Sequence, residues 1–136
     1  KFGILNYFRR CNMNKFLKRI LLGLLIWAIP FFAALFVWDV EANAAKISLP
    51  WFNALMAFTW AIGFAIAVCV YFRSVKKDFV KEGWATGIIW YIELLVLDLI
   101  TLVGIFGMAM ADFYPMVLTY LNAVAISAAI GYAKRG

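Results

Sequence analysis

The chain has 136 residues, is 67% hydrophobic and carries a net charge of +6. Its mean hydropathy of +0.92 is more than a soluble domain of this length has interior to hide, so the excess must face lipid. With two cysteines and no histidine, the usual ligand sets for zinc, haem and iron–sulfur clusters are missing, as is histidine-based acid–base chemistry. No metal, no cofactor and no catalytic residue are expected, and the chain does not read as an enzyme.

The segment Lys1 to Arg19 mixes Phe2, Ile4, Leu5, Tyr7, Phe8, Phe16 and Leu17 with six positive charges. That mixture suits a stretch lying in the headgroup layer, here residues 1–19. Met13-Asn14-Lys15-Phe16 reads as a natural start, which would make the residues before Met13 an extension. The four-span domain is expected over residues 20–136.

Span one runs from about Ile20 to Trp38, uncharged, with Pro30 near its middle to kink it. Basic residues, an apolar run and Ala42-Asn43-Ala44 resemble a cleavable secretory signal. The apolar run is longer than a usual signal core, so a retained span is expected. Span two, about Trp51 to Phe72, is announced by Ser48 and Pro50, and Trp51 and Tyr71 fit aromatic belts. Span three, about Gly83 to Phe106, has Gly104 and Gly107 at its far end. Span four runs from about Phe113 to Ala133, with Asp112 as N-cap and Pro115 in its first turn. Each run is long enough to cross a hydrocarbon core of about 30 Å, and the short loops make sequential helices antiparallel neighbours. The expectation is an all-α, integral membrane four-helix bundle.

Charge fixes the expected orientation. Lys1, Arg9, Arg10, Lys15, Lys18 and Arg19 precede span one. Arg73, Lys76, Lys77 and Lys81 separate spans two and three, and Lys134 and Arg135 close the chain. Only Lys46 lies in the other two loops. Positive charge marks the cytoplasmic side, so both termini are expected inside, in a cytoplasmic membrane. The same basic rim suits anionic lipid headgroups as partners, and no nucleic acid is expected. The two cysteines, Cys11 and Cys69, fall toward that side, where a structural disulfide is not expected. The openings Gly23-Leu24-Leu25-Ile26-Trp27 and Gly87-Ile88-Ile89-Trp90 hint at a two-hairpin internal repeat about an axis along the membrane normal.

Two carboxylates, Glu93 and Asp98, interrupt span three. A charge at mid-bilayer costs at least ~2.5–3.5 kcal/mol on insertion scales, so such groups are paired, protonated or functional. Five residues turn a helix by about 500°, leaving the two side chains about 140° apart. At most one points at the bundle axis; the other meets a neighbouring helix or another subunit, which favours a homo-oligomer. By depth, Thr59, Trp60, Thr119, Tyr120 and Asn122, with Ser127 further inside, are the expected polar partners, the hydroxyls and the amide being what a protonated carboxyl needs. Glycines 63, 83, 87 and 131 and the alanines of span four read as close-packing positions. The many Trp and Phe residues read as belt and lipid-facing groups rather than a pigment pocket.

Glu82-Gly83-x-x-x-Gly87-x-x-Trp90, followed by Leu97-Asp98-Leu99 and the Gly131-Tyr132 ending, resembles a small prokaryotic four-span membrane protein family of unknown function. The resemblance implies a four-helix membrane fold with Asp98 and Glu82 at its polar positions, and it implies no activity. Small multidrug-resistance exporters have a similar size and span count but carry their glutamate in span one, which is uncharged here. Two functions are expected from the residues: a small oligomeric transporter or channel with a proton- or cation-handling carboxylate, or a non-catalytic scaffold or accessory subunit joined to a membrane partner.

Overall fold

The structure, a computed structural model, describes residues 15–135. Four long helices dominate it: α1 (Lys15–Val37), α2 (Leu49–Arg73), α3 (Phe79–Asp98) and α4 (Met110–Arg135). A π-helical segment, Leu99–Ile105, extends α3. All four are long and apolar enough to cross a membrane, α3 being counted with its π-helical extension. Their outer surfaces agree, because side chains such as Phe36, Trp51 and Leu118 are 83%, 72% and 72% exposed, an arrangement only lipid makes favourable.

Several boundaries differ from the sequence reading. Helix α1 is already under way at Lys15, so Lys15, Lys18 and Arg19, the end of the 1–19 segment, stand on its first turns and the helix starts earlier than the expected Ile20. The remainder of that segment, with Cys11 and Met13, lies outside the described residues. Helix α4 begins at Met110, which places Asp112 in the first turn rather than at the cap. The Asp112 and Phe113 amides donate to the Ala109 carbonyl instead. Pro115 is thereby the sixth residue of α4 rather than part of its first turn, and it lacks the N–H that would reach the Ala111 carbonyl. Pro50 sits at the first turn of α2 as expected, although the Ser48 side chain makes no cap bond.

Between α1 and α2 the chain makes a two-rung antiparallel ladder, β1 (Trp38–Asp39) with β2 (Ala44–Ala45). The Asp39 carboxylate accepts the Glu41 and Ala42 amides at 3.0 and 3.1 Å and holds the turn. Asn43 takes the left-handed conformation there (φ 50°), which asparagine tolerates better than most residues.

Helix α1 packs against α2 and α3, and α3 packs against α4. The α3–α4 seam is built on glycine. A Cβ at Gly131 would lie 2.4 Å from the Phe79 carbonyl oxygen, and one at Gly83 would lie 2.5 Å from that of Ser127. These are backbone neighbours that cannot swing aside, so the two helices meet at main-chain distance. The core follows the α1–α2–α3 contact, with Ile26, Phe64, Tyr71, Trp90 and Leu94 buried. Aromatic rings tie it together: Trp60 stacks on Phe64 at 5.0 Å, and Phe64 meets Trp90 edge-on at 5.5 Å.

The start of α1, the end of α2, the start of α3 and the end of α4 share one end of the bundle. Lysines from elsewhere in the chain complete α2 there. Lys134 Nζ donates to the Phe72 carbonyl at 2.8 Å, and Lys18 Nζ donates at 2.8 Å to Ser74 Oγ, which itself donates to the Tyr71 carbonyl. Cations at a helix C-terminus are favoured by the exposed carbonyls and the helix dipole.

Candidate functional site

Three carboxylates line α3 and have three different environments. On a helical projection from Glu82, Thr86 lies about 40° round, Glu93 about 20° and Asp98 about 160°. Glu82, Thr86 and Glu93 therefore share the face toward α1, whereas Asp98 lies toward the glycine face that α4 covers.

Asp98 is buried at 9% exposure and joins three helices. Trp27 Nε1 of α1 donates to one carboxylate oxygen at 2.9 Å, and the Tyr120 hydroxyl of α4 donates to the other. Asp98 is also the last α-helical residue before the π-helical segment. That segment is stabilised by Phe106 N–H to the Thr101 carbonyl (3.0 Å) and ends at Ile105; Gly107, two residues on, turns the chain with a φ of +72° that suits glycine.

Glu93 differs. Its Oε2 is buried and has no hydrogen-bond partner among the described residues. It fills the space a side chain at Gly23 would occupy, since a Cβ there would lie 1.8 Å from Oε2 and 2.6 Å from Cδ. The glycine of α1 thus forms the seat for the carboxyl of α3. Within hydrocarbon an unpaired carboxylate is far less stable than an unpaired carboxylic acid. A metal cation is poorly suited to this seat, because hard cations take about six oxygen ligands and Glu93 brings at most two. A proton needs only one oxygen.

The third carboxylate, Glu82, organises the shared end of the bundle. Arg19 Nη2 donates to it at 2.5 Å, the Tyr71 hydroxyl at 2.5 Å and Lys15 Nζ at 3.0 Å. Arg19 Nε also donates to Tyr71 Oη and Thr86 Oγ1, and Trp90 Nε1 donates to the Arg19 carbonyl. The Arg19 and Glu82 side chains are only 12% and 11% exposed, whereas Lys15 is 70% exposed. The Arg19–Glu82 pair is therefore an internal ion pair, and Lys15 is its solvated edge. Composition placed Arg19 with the surface cations; the resemblance pointed to Glu82 without a partner. The available signal was a lone acid opening an apolar run four residues before Thr86, on the face that Glu93 shares.

Of the expected polar partners, Tyr120 reaches Asp98. The others do not reach either carboxyl. Thr59 Oγ1 donates to the Leu55 and Met56 carbonyls at 2.8 and 3.2 Å, and Thr119 Oγ1 to the Pro115 carbonyl at 3.3 Å. Threonine in a helix readily bonds its own preceding turn. Asn122 is exposed on the outer side of α4. Both Glu93 and Asp98 are met by neighbouring helices of the same chain, so their angular separation does not of itself require a second subunit. An open groove of about 320 Å³ between α2 and α4, lined by Trp60, Phe64, Cys69 and Ile130 among others, is apolar and apart from all three carboxylates.

Compared with family models, with curated proteins and with solved structures, the chain matches none.

Proposed function

We propose that this chain is a multi-pass protein of the cytoplasmic membrane, with both ends of the chain on the cytoplasmic side, that handles a proton at Glu93 as a small transporter or channel. The observation that carries the reading is the buried, unpartnered Glu93 oxygen seated against Gly23. A carboxyl held for structure alone is normally supplied with donors, as Asp98 is, because an unmade bond in hydrocarbon is unfavourable. A carboxyl that must gain and lose a proton is better left without fixed donors. Glu82, Thr86 and Glu93 follow one face of α3, and eleven residues of helix span about 16 Å. This places a graded series of polar groups from the charged end of the bundle toward its middle. Asp98, gripped by Trp27 and Tyr120, holds the helices together around that face. The reading involves no catalysed reaction and no cofactor.

The test is proton flux into proteoliposomes carrying an internal pH dye under an imposed membrane potential. The wild-type chain should pass protons, Glu93→Gln should abolish the flux, and Asp98→Asn should lower the amount of folded protein more than the flux per folded molecule. Flux unaffected by Glu93→Gln would exclude the reading. The second reading, a non-catalytic scaffold or accessory subunit with a membrane partner, is favoured by the three-helix clasp at Asp98. It predicts no flux in any variant.

A further inference from the structure

Helices α2 and α4 leave a groove between them. Each packs on another helix, α2 on α1 and α4 on α3, but their own backbones stay apart. The groove has a volume of about 320 Å³ and is walled by Trp60, Phe64, Ala65 and Cys69 of α2 and by Ile126 and Ile130 of α4. Trp60 stands near the middle of the 25-residue α2. From there to Cys69 the helix rises about 14 Å, and one leaflet of hydrocarbon is about 15 Å deep, half of a core of about 30 Å. The groove therefore follows a single leaflet, from the bilayer middle to the headgroup level at the charged end of the bundle.

Positive charge collects where the groove opens. Arg73 lies one turn beyond Cys69 and Lys134 one turn beyond Ile130, each within about 40° of the groove residue before it. Both are exposed. Lys134 Nζ donates to the Phe72 carbonyl at 2.8 Å, which carries the ammonium of α4 across to the end of α2, beside Arg73. An ammonium has three N–H groups, so donors remain. Among the described residues no carboxylate pairs with Arg73 or Lys134. The acids of this end are Glu82, already paired with Arg19 and Lys15, and Asp78, which shares a separate hollow with Lys81 and Arg135. A guanidinium and an ammonium so placed fit a phosphate.

We infer that the groove binds one acyl chain of an anionic phospholipid, with the lipid phosphate at Arg73 and Lys134. Hydrocarbon gains no hydrophobic free energy by leaving lipid for an apolar wall of protein. The headgroup therefore selects the occupant, and two unpaired cations at the mouth select an anion. A zwitterionic headgroup has the same phosphate but brings a cation of its own, which these residues repel. A helix from another chain is too large: about 10 Å across and 14 Å long, it fills roughly 1,000 Å³, against about 320 Å³ here. The inference does not rest on the proton reading at Glu93, because the groove is apart from all three carboxylates.

The experiment uses the full chain in phosphatidylcholine bilayers holding a trace of phosphatidylglycerol with a photoreactive diazirine in its acyl chain. After illumination, mass spectrometry of the digested chain locates the adducts. They should concentrate on the groove walls, Ala65, Cys69 and Ile130 among them. Unlabelled phosphatidylglycerol should displace them, and further phosphatidylcholine should not. Arg73→Gln with Lys134→Gln should lower the groove adducts about 5-fold or more, the weight of at least one cation near a membrane surface. Adducts at Ile92, exposed on the outer face of α3, should stay unchanged and report that the variant is folded. Lys76→Gln with Lys77→Gln, equally exposed cations of the next loop, should leave the groove adducts as they were. Ala65→Phe should remove them with every cation in place. Adducts spread evenly over Ile92 and the groove, displacement by phosphatidylcholine as readily as by phosphatidylglycerol, or an equal loss in the two glutamine pairs would each overturn the inference.

Discussion

Replacing Gly23 by alanine tests whether Glu93 occupies the seat described. The new Cβ would stand 1.8 Å from Oε2 and 2.6 Å from Cδ of Glu93, against contacts of 3.4 Å or more for ordinary packing. The obstructed atoms are the end of a flexible side chain, so α1 and α3 need not separate. The carboxyl must leave its place, and overpacking of this kind costs about 1–3 kcal/mol. In a Glu93→Ala background the obstruction is gone, and Gly23→Ala should cost close to nothing. The prediction is therefore a coupling of about 1–3 kcal/mol between the two positions, measured as a double-mutant cycle on reversible unfolding in bicelles. Equal effects of Gly23→Ala in both backgrounds would show that Glu93 does not sit against Gly23, and the reasoning built on that seat would fail with it.

Two further substitutions probe the other carboxylates by the same assay. Glu82→Ala leaves Arg19 without its internal counter-charge and should destabilise the bundle by about 3–5 kcal/mol, whereas Arg19→Met with Glu82→Met should be much less harmful than either single change; Lys15→Met should have little effect, since Lys15 is 70% exposed. Tyr120→Phe and Trp27→Phe each remove one donor from Asp98 and should cost about 0.6–2 kcal/mol apiece, while Thr119→Val, whose hydroxyl serves its own helix, should change stability by less than about 0.5 kcal/mol.

The four helices were legible because lipid demands long apolar runs, and that signal survives in composition alone. Boundaries were less so. Lys15, Lys18 and Arg19 continue α1 outward because their partners Glu82, Ser74 and Tyr71 sit on other elements, and nothing local in the sequence announces a bond across 50 or more residues. The carboxylates of α3 were conspicuous, but their neighbours were sought by depth. Depth correctly suggested Tyr120 for Asp98. It misplaced Asn122, which lies about 200° from Tyr120 on the same helix and so must face away when Tyr120 faces in. Thr59 and Thr119 were misjudged for a different reason, the competition of their own helical carbonyls for the hydroxyl. The π-helical segment after Asp98 has no sequence signature that distinguishes it from the α-helix it extends.

In the proposed function, Glu93 exchanges a proton within the membrane while Asp98 holds the helices. Infrared difference titration of the carboxyl bands in lipid, across roughly pH 5 to 9, tests it most directly, with Glu93→Gln and Asp98→Asn to assign the signals. The account predicts a protonated-carboxyl band that titrates within this window and disappears in Glu93→Gln but persists in Asp98→Asn. A Glu93 band that stays unchanged throughout would contradict it and leave all three carboxylates as structural.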